Sequence, residues 1–263
     1  MGAAERTAEA MEAVWASRAR FAPLQGDVRP AGMAEAYDAQ EALHARMAGR
    51  RGTLAGRKIA LSNPDMQKMC GIDHPLFGAA FGREVHDGGA RVSLGAFVHL
   101  GLEFELAVFA AEDAGPREAP WTAEAAREVV GEIRPAFELI EDRAADYAAL
   151  DPLTMVADNA WCGGVVLGAP LPRGLDPADA PSAMLIDGAE AEVGNVSAAA
   201  PMQSFAAVLN HLRARGQVLK AGQFVITGSA LRTRFPDGPG HWRYEIRDGA
   251  CGALGAVELE ITP

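Results

Sequence analysis

Between Ala3 and Ala19 the chain is rich in alanine and glutamate, and Met11, Trp15 and Arg18 recur at helical spacing, which predicts an amphipathic helix. "APLQGDVRPAG" ends it with two prolines and two glycines. A second helix is expected from about Ala31 to Arg50, with Met33, Tyr37, Gln40, His44 and Met47 on one stripe. His44 on that stripe reads as a residue at the edge of a core rather than a ligand. From Gly56 onward short apolar runs alternate with Gly, Pro and Asp punctuation, the texture of β-structure. "GRKIALS", "LEFELAVFA", "PAFELIE", "CGGVVLGAP", "GQFVITG", "HWRYEIRDG" and "LGAVELEIT" read as strands, and "REVHDGGARVSL" as a hairpin turning at Asp87-Gly88-Gly89. "TAEAAREVVGEI" reads as a helix capped by Thr122, and "MQSFAAVLNHLRARG" as a helix stopped at Gly216. Two N-terminal helices followed by a β-rich body make an α+β arrangement, divided here as residues 1–55 and 56–263.

Composition adds exclusions. The 263 residues carry a net charge of −11 and a pI near 5.0, and such an acidic body repels phosphate backbones, so nucleic acid is not an expected partner. Cys70, Cys162 and Cys251 are far apart and form no CxxC, which indicates neither a disulfide framework nor a zinc site. The first residues resemble no signal peptide and no run reaches membrane-span length, so a soluble cytoplasmic protein is the expectation. No GxxxxGK[ST] and no strand-to-helix GxGxxG occurs, and no Ser or Cys has a local nucleophile signature.

The chemistry-bearing pattern is in "LEFELAVF". Alternation along a strand puts Leu102, Phe104, Leu106 and Val108 on one face and Glu103 and Glu105 on the other. Two ionised carboxylates about 5 Å apart repel by roughly 3 kcal/mol at an effective dielectric near 20. A solvated face relieves that repulsion, and so does a divalent cation. Glu138 in "PAFELIEDR" is a third acid within an apolar run, and three carboxylates on adjacent strands make a hard-oxygen site of the kind that holds Mg²⁺ or Mn²⁺. Lys58 in "GRKIALS" begins an apolar strand. It is either a surface lysine at a strand end or, close to a metal and away from water, a lysine of reduced basicity usable for proton transfer.

"GRKIALSNPDMQKMCGIDHPLFG", "LEFELAVF", "PAFELIEDR" and "VADNAWCGGVVLG", in this order and spacing, resemble the 2-keto-4-pentenoate hydratase and 4-oxalocrotonate decarboxylase family of the fumarylacetoacetate hydrolase superfamily. "AEAYDAQEAL" resembles that family's N-terminal segment, so the likeness covers most of the chain. It implies a mixed β-sandwich or roll core of the fumarylacetoacetate hydrolase C-terminal-domain type, with an N-terminal helical segment. It implies Mg²⁺ or Mn²⁺ on Glu103, Glu105 and Glu138, with Lys58 as the active-site lysine. Asn159 matches a residue near the family's pocket, and Thr227 and Gly228 match the substrate end. The implied activity is a lyase on a 2-oxo or 2-hydroxydienoate acid in aromatic-carbon catabolism. The implied assembly is a homo-oligomer, with association between hydratase and decarboxylase known in the family.

The sequence also departs from the family. Leu76 stands where family hydratases carry an aspartate that helps move protons, and the nearby acid is Asp73, at a different position of the motif. Trp161 stands where a small residue is common. Arg232 and Arg234 enrich the loop after Thr227, and a guanidinium there suits a second substrate carboxylate. Hydration and decarboxylation both stay open. A C–C bond hydrolase ranks lower because no matching His motif is present, and a degenerate binding or partner subunit is the alternative of another class.

Overall fold

The structure, a computed structural model, describes residues 2–249 and 252–263. Cys251 lies outside the described residues, and Cys70 and Cys162 are buried free thiols. Among the described residues no helix is long and apolar enough to cross a membrane.

Helices α1 (Ala3–Ser17) and α2 (Met33–Arg51) form where the apolar spacing places them. They bury Ala8, Met11, Leu43 and Met47 against Phe81 of the body. Strands β1 (Leu54–Ala60), β2 (Leu76–Phe81), β3 (Val85–Asp87), β5 (Leu100–Ala110), β6 (Val130–Glu141), β7 (Cys162–Leu167) and β10 (Phe224–Ile226) make a seven-stranded sheet in the order β2-β1-β10-β5-β6-β7-β3. Strands β4 (Ala90–Ser93), β8 (Pro181–Ile186), β9 (Ala189–Asn195), β11 (Gly240–Arg247) and β12 (Ala253–Thr262) make a five-stranded sheet in the order β4-β12-β11-β8-β9.

Alternation on β5 and β6 decides what each face does. Leu102, Phe104, Leu106, Phe137 and Leu139 pack against Trp242, Tyr244, Val257 and Leu259 of the second sheet, which forms the sandwich core. The opposite face carries the acids. The large sheet curls until β2 approaches β7, so this face becomes the inside of a roll, walled by small and branched residues such as Ala80, Ala107, Ala136, Val165 and Ile226. The α+β roll with helices ahead of it is the fold the sequence leads one to expect.

Two expectations need correction. "REVHDGGARVSL" is not a hairpin: β3 pairs in parallel with β7, β4 pairs in parallel with β12, and Gly88-Gly89 carries the chain from one sheet to the other. The Asp-Gly hairpin signal belongs to Asp187-Gly188, where both residues are left-handed and Ile186 pairs with Ala189 between β8 and β9. The helix after Thr122 is shorter than expected. Thr122 caps α4 (Ala123–Arg127), but β-branched Val130 and Ile133 already belong to β6. Two short helices, α3 (Pro64–Met69) and α5 (Pro152–Ala157), have prolines in the first turn and side-chain caps from Asn63 and Asp151. A longer helix, α6 (Pro201–Ala214), completes the set.

Candidate active site

The antiparallel register of β5 and β6 sets Glu103 directly opposite Glu138 and Glu105 opposite Ala136. All three carboxylates therefore turn to the inside of the roll, where their oxygens lie within 4.8 Å of one another. Glu105 and Glu138 are fully buried. Three groups answer the crowding. Gly228 N–H donates to Glu105 Oε2 at 2.6 Å, Thr233 Oγ1 donates to Glu103 Oε1 at 2.8 Å, and Lys58 Nζ lies 2.6 Å from Glu138 Oε1. Glu105 Oε1 keeps no hydrogen-bond partner. Burial, reinforced by Glu138 and Glu103, holds the Glu105 carboxyl well above the ordinary range. Burial also pushes Glu138 up to about 7, with Lys58 pulling the other way.

Lys58 comes from β1, which β10 separates from β5, and it is 1% exposed. Burial, the largest single influence, works against its ammonium form, but Glu138, Cys162 and Glu103 together outweigh it and raise its pKa. As long as no cation neutralises these acids, the lysine is held charged.

Lys58 Nζ also donates to the Ala160 carbonyl at 2.8 Å. That carbonyl is aimed by an unusual turn in which Asn159, Ala160 and Trp161 are all left-handed, with φ of 65°, 49° and 63°. Each such residue costs on the order of 1 kcal/mol or more, so the surroundings must hold it. The Asn159 side chain does much of this. It accepts from Ala79 N–H and donates to the Ala79 carbonyl, each at 2.8 Å. Gly78 beneath has no room for a methyl group, because a Cβ there would sit 2.8 Å from the Asn159 backbone carbonyl oxygen and 3.0 Å from Lys58 Cγ.

His44 completes the brace, its Nε2 lying 2.7 Å from Asn159 Oδ1. That oxygen accepts, so Nε2 carries the hydrogen, and Nδ1 has no partner. Burial lowers the His44 pKa to about 3, against an unfolded value near 6.5. The unfolded chain therefore takes up a proton that the folded chain refuses. Stability is unaffected above about pH 6.5 and falls by up to about 1.4 kcal/mol per unit as the pH drops toward 3. His44→Gln keeps a donor near the Nε2 position and removes this proton uptake. Thermal melts between pH 7 and 4.5 should show a shallower acid decline for the variant, and parallel curves would assign the acid sensitivity elsewhere.

The cluster opens into a cavity of about 420 Å³ with Lys58 and Glu103 in its lining. The rest of the wall mixes apolar side chains, Leu61, Met66, Ile140, Met155, Trp161 and Leu231, with polar ones, among them Asn63, Tyr147, Ser229, Glu192 and Arg232. A cavity of about 700 Å³ lies elsewhere, between Phe109, Glu132 and residues 170–176, and contains none of the acids or the lysine.

Glu103, Glu105, Glu138, Lys58 and Gly228 are brought together. Asn159 is fully buried and reaches the site only through the turn it braces. Thr227 is fully buried and outside the cavity lining, its hydroxyl donating to the Leu106 carbonyl at 3.2 Å. Asp73 is exposed on the turn after α3, outside the lining. Leu76 is fully buried behind the wall, in one cluster with Ile140, Met155 and Trp161. The Arg232 side chain is 81% exposed and lies 3.5 Å from Glu192, which Arg234 also engages. Thr233 is a site residue that the sequence did not single out. The bridge between Leu102 and Arg234 registers this loop beside β5, so the residue before Arg234 meets Glu103. A His–acid pair is also present: His99 Nδ1 lies 2.7 Å from Asp142 Oδ1, outside the cavity lining.

Three carboxylates against one ammonium leave two formal negative charges, which one divalent cation cancels. The donors are hard oxygens, and one of them, Glu105 Oε1, has no protein partner. The set fits a hard divalent cation.

No family model matches the chain. It is 34% identical over 181 residues to 2-hydroxyhexa-2,4-dienoate hydratase of Comamonas testosteroni, covering 66% of this chain and 67% of that one. It is 28% identical over 233 residues to a 2-keto-4-pentenoate hydratase of Paraburkholderia phymatum, covering 86% of each. In fold it is similar to 4-oxalocrotonate decarboxylase from Pseudomonas putida G7, solved with magnesium and adipate, with a TM-score of 0.86 and 22% identity over 98% of this chain and 97% of that one.

Proposed function

The chain belongs to the 2-keto-4-pentenoate hydratase and 4-oxalocrotonate decarboxylase family of the fumarylacetoacetate hydrolase superfamily, and we propose that it is a divalent-metal-dependent lyase acting on a small 2-oxo or 2-hydroxydienoate acid. The observation that carries this is the convergence of Glu103, Glu105, Glu138 and Lys58 on one cavity. Glu103, Glu105 and Glu138 would hold Mg²⁺ or Mn²⁺, which supplies a Lewis acid for the carboxylate and 2-oxo oxygen of the substrate. Lys58, held between Glu138 and the Ala160 carbonyl, is the group placed to move a proton at the substrate carbon chain. The Ala160 carbonyl keeps Nζ aimed, and the apolar side chains of the wall exclude bulk water from the reacting carbons. The same proposal sets the protein in aromatic-carbon catabolism as a cytoplasmic homo-oligomer, on the strength of the family resemblance.

Hydration is the leading reaction, and decarboxylation is supported as the second by Leu76. Where family hydratases bring an acid, this chain buries a leucine among Tyr37, Ile140, Met155 and Trp161, and that side chain can neither hold nor pass a proton. Two assays with Mg²⁺ separate the readings: loss of the ultraviolet absorbance of 2-hydroxypenta-2,4-dienoate, and carbon dioxide release from 4-oxalocrotonate. Activity in neither would refute the lyase proposal and favour the binding or partner subunit.

Leu76→Asp places a carboxylate in that apolar cluster. An unpaired buried charge costs about 3–5 kcal/mol, which in a chain of this size lowers the melting temperature by about 10 °C. Calorimetric melts check this. An unchanged melting temperature would mean that the aspartate reaches water or a partner, and hydratase activity gained by the variant would then be expected.

A further inference from the structure

We infer that Trp161 is the residue that makes this site favour an uncharged apolar tail over a second carboxylate on its 2-oxo acid. The inference rests on the lyase reading above. Ile140 follows Glu138 on the same strand face, about 7 Å farther along, and faces Gly101, which adds no side chain of its own. A substrate whose head sits at the acids therefore extends its tail past Ile140 toward Met155 and Trp161, both of which line the cavity.

The indole is a built part of this wall. It is 6% exposed and braced edge-on by Phe21, with ring centroids 5.1 Å apart, and by Tyr147, at 5.9 Å. Its backbone is left-handed, a conformation a bulky residue keeps only where its surroundings impose it. The cavity, about 420 Å³, is of the size that takes ligands well beyond a minimal 2-oxo acid.

Charge at the other end does not compete. Apart from Lys58, the cation in the lining is Arg232, which is 81% exposed and already faces Glu192. An exposed and paired guanidinium adds little affinity for a second carboxylate, and Glu192 repels one. Each methylene buried against the wall, by contrast, is worth about fourfold in affinity. Facing Glu192, the arginines of this loop are accordingly not expected to select a diacid.

The test titrates the Mn²⁺-loaded wild type by calorimetry with pyruvate, 2-oxohexanoate and 2-oxoadipate. The expected result is 2-oxohexanoate binding about 60-fold tighter than pyruvate, about fourfold for each of its three added methylenes, with 2-oxoadipate, of equal chain length, no tighter than pyruvate. Trp161→Ala, and Met155→Ala on the same wall, should each reduce the ratio of 2-oxohexanoate to pyruvate affinity, by about fivefold for the indole. Equal affinities for pyruvate and 2-oxohexanoate, or tighter binding of 2-oxoadipate, would overturn the inference while leaving the lyase reading in place. A ratio unchanged in both variants would overturn the role of the indole. Binding of none of the acids would overturn the lyase reading and this inference with it.

Discussion

Replacing Lys58 by methionine is expected to slow turnover by about 100-fold or more, the scale of a lost general acid. Methionine fills much of the same volume but offers nothing to the Ala160 carbonyl or to Glu138, both of which the ammonium meets within 3 Å, at 2.8 and 2.6 Å. The variant has a second signature. Removing one partner of a buried ion pair leaves the other charge uncompensated, at a cost of about 3–5 kcal/mol. Melting of the metal-free variant should therefore fall well below wild type, and saturating Mn²⁺ should restore part of the difference by neutralising the crowded carboxylates. Steady-state rates at saturating Mg²⁺, paired with melts in both metal states, read out both effects. Wild-type turnover in this variant would show that Lys58 only neutralises charge.

The second large effect is expected from metal binding. Calorimetric titration should find one Mn²⁺ per chain. At 100 times the dissociation constant, a ligand that binds only the folded state adds about 2.7 kcal/mol, which for a chain of this length raises the melting temperature by about 5–10 °C. Glu103→Gln should weaken the binding, because an amide is a poorer donor to a hard cation. Glu103 is the least buried of the three acids, so its replacement disturbs the fold less than a change at Glu105 or Glu138. A wild type that neither binds Mn²⁺ nor gains thermal stability from it would end the metal proposal.

The sequence alone determined the parts of this site that follow from local periodicity. Alternation in "LEFELAVF" separates Glu103 and Glu105 from the apolar face, and the same alternation puts Glu138 on one face with Ala136 and Ile140. The two N-terminal helices and the cap at Thr122 are equally local and equally legible. The tertiary structure decided whatever depends on pairing between distant segments. The sequence "REVHDGGARVSL" reads as a hairpin because two short apolar runs flank a glycine pair. Its strands instead join different sheets, since β7 and β12, far along the chain, offer longer partners than the two runs offer each other. Lys58 meets Glu138 only because β10 enters between β1 and β5 and the sheet then curls. The left-handed turn at residues 159–161 has no glycine to announce it. It is held by His44, Ala79 and the packing of Trp161, none of them local to the turn except the indole itself. Leu76, which stands at the position of the family's proton-moving aspartate, lies behind the cavity wall, because strand alternation states which face a side chain takes but not what another element has laid over it.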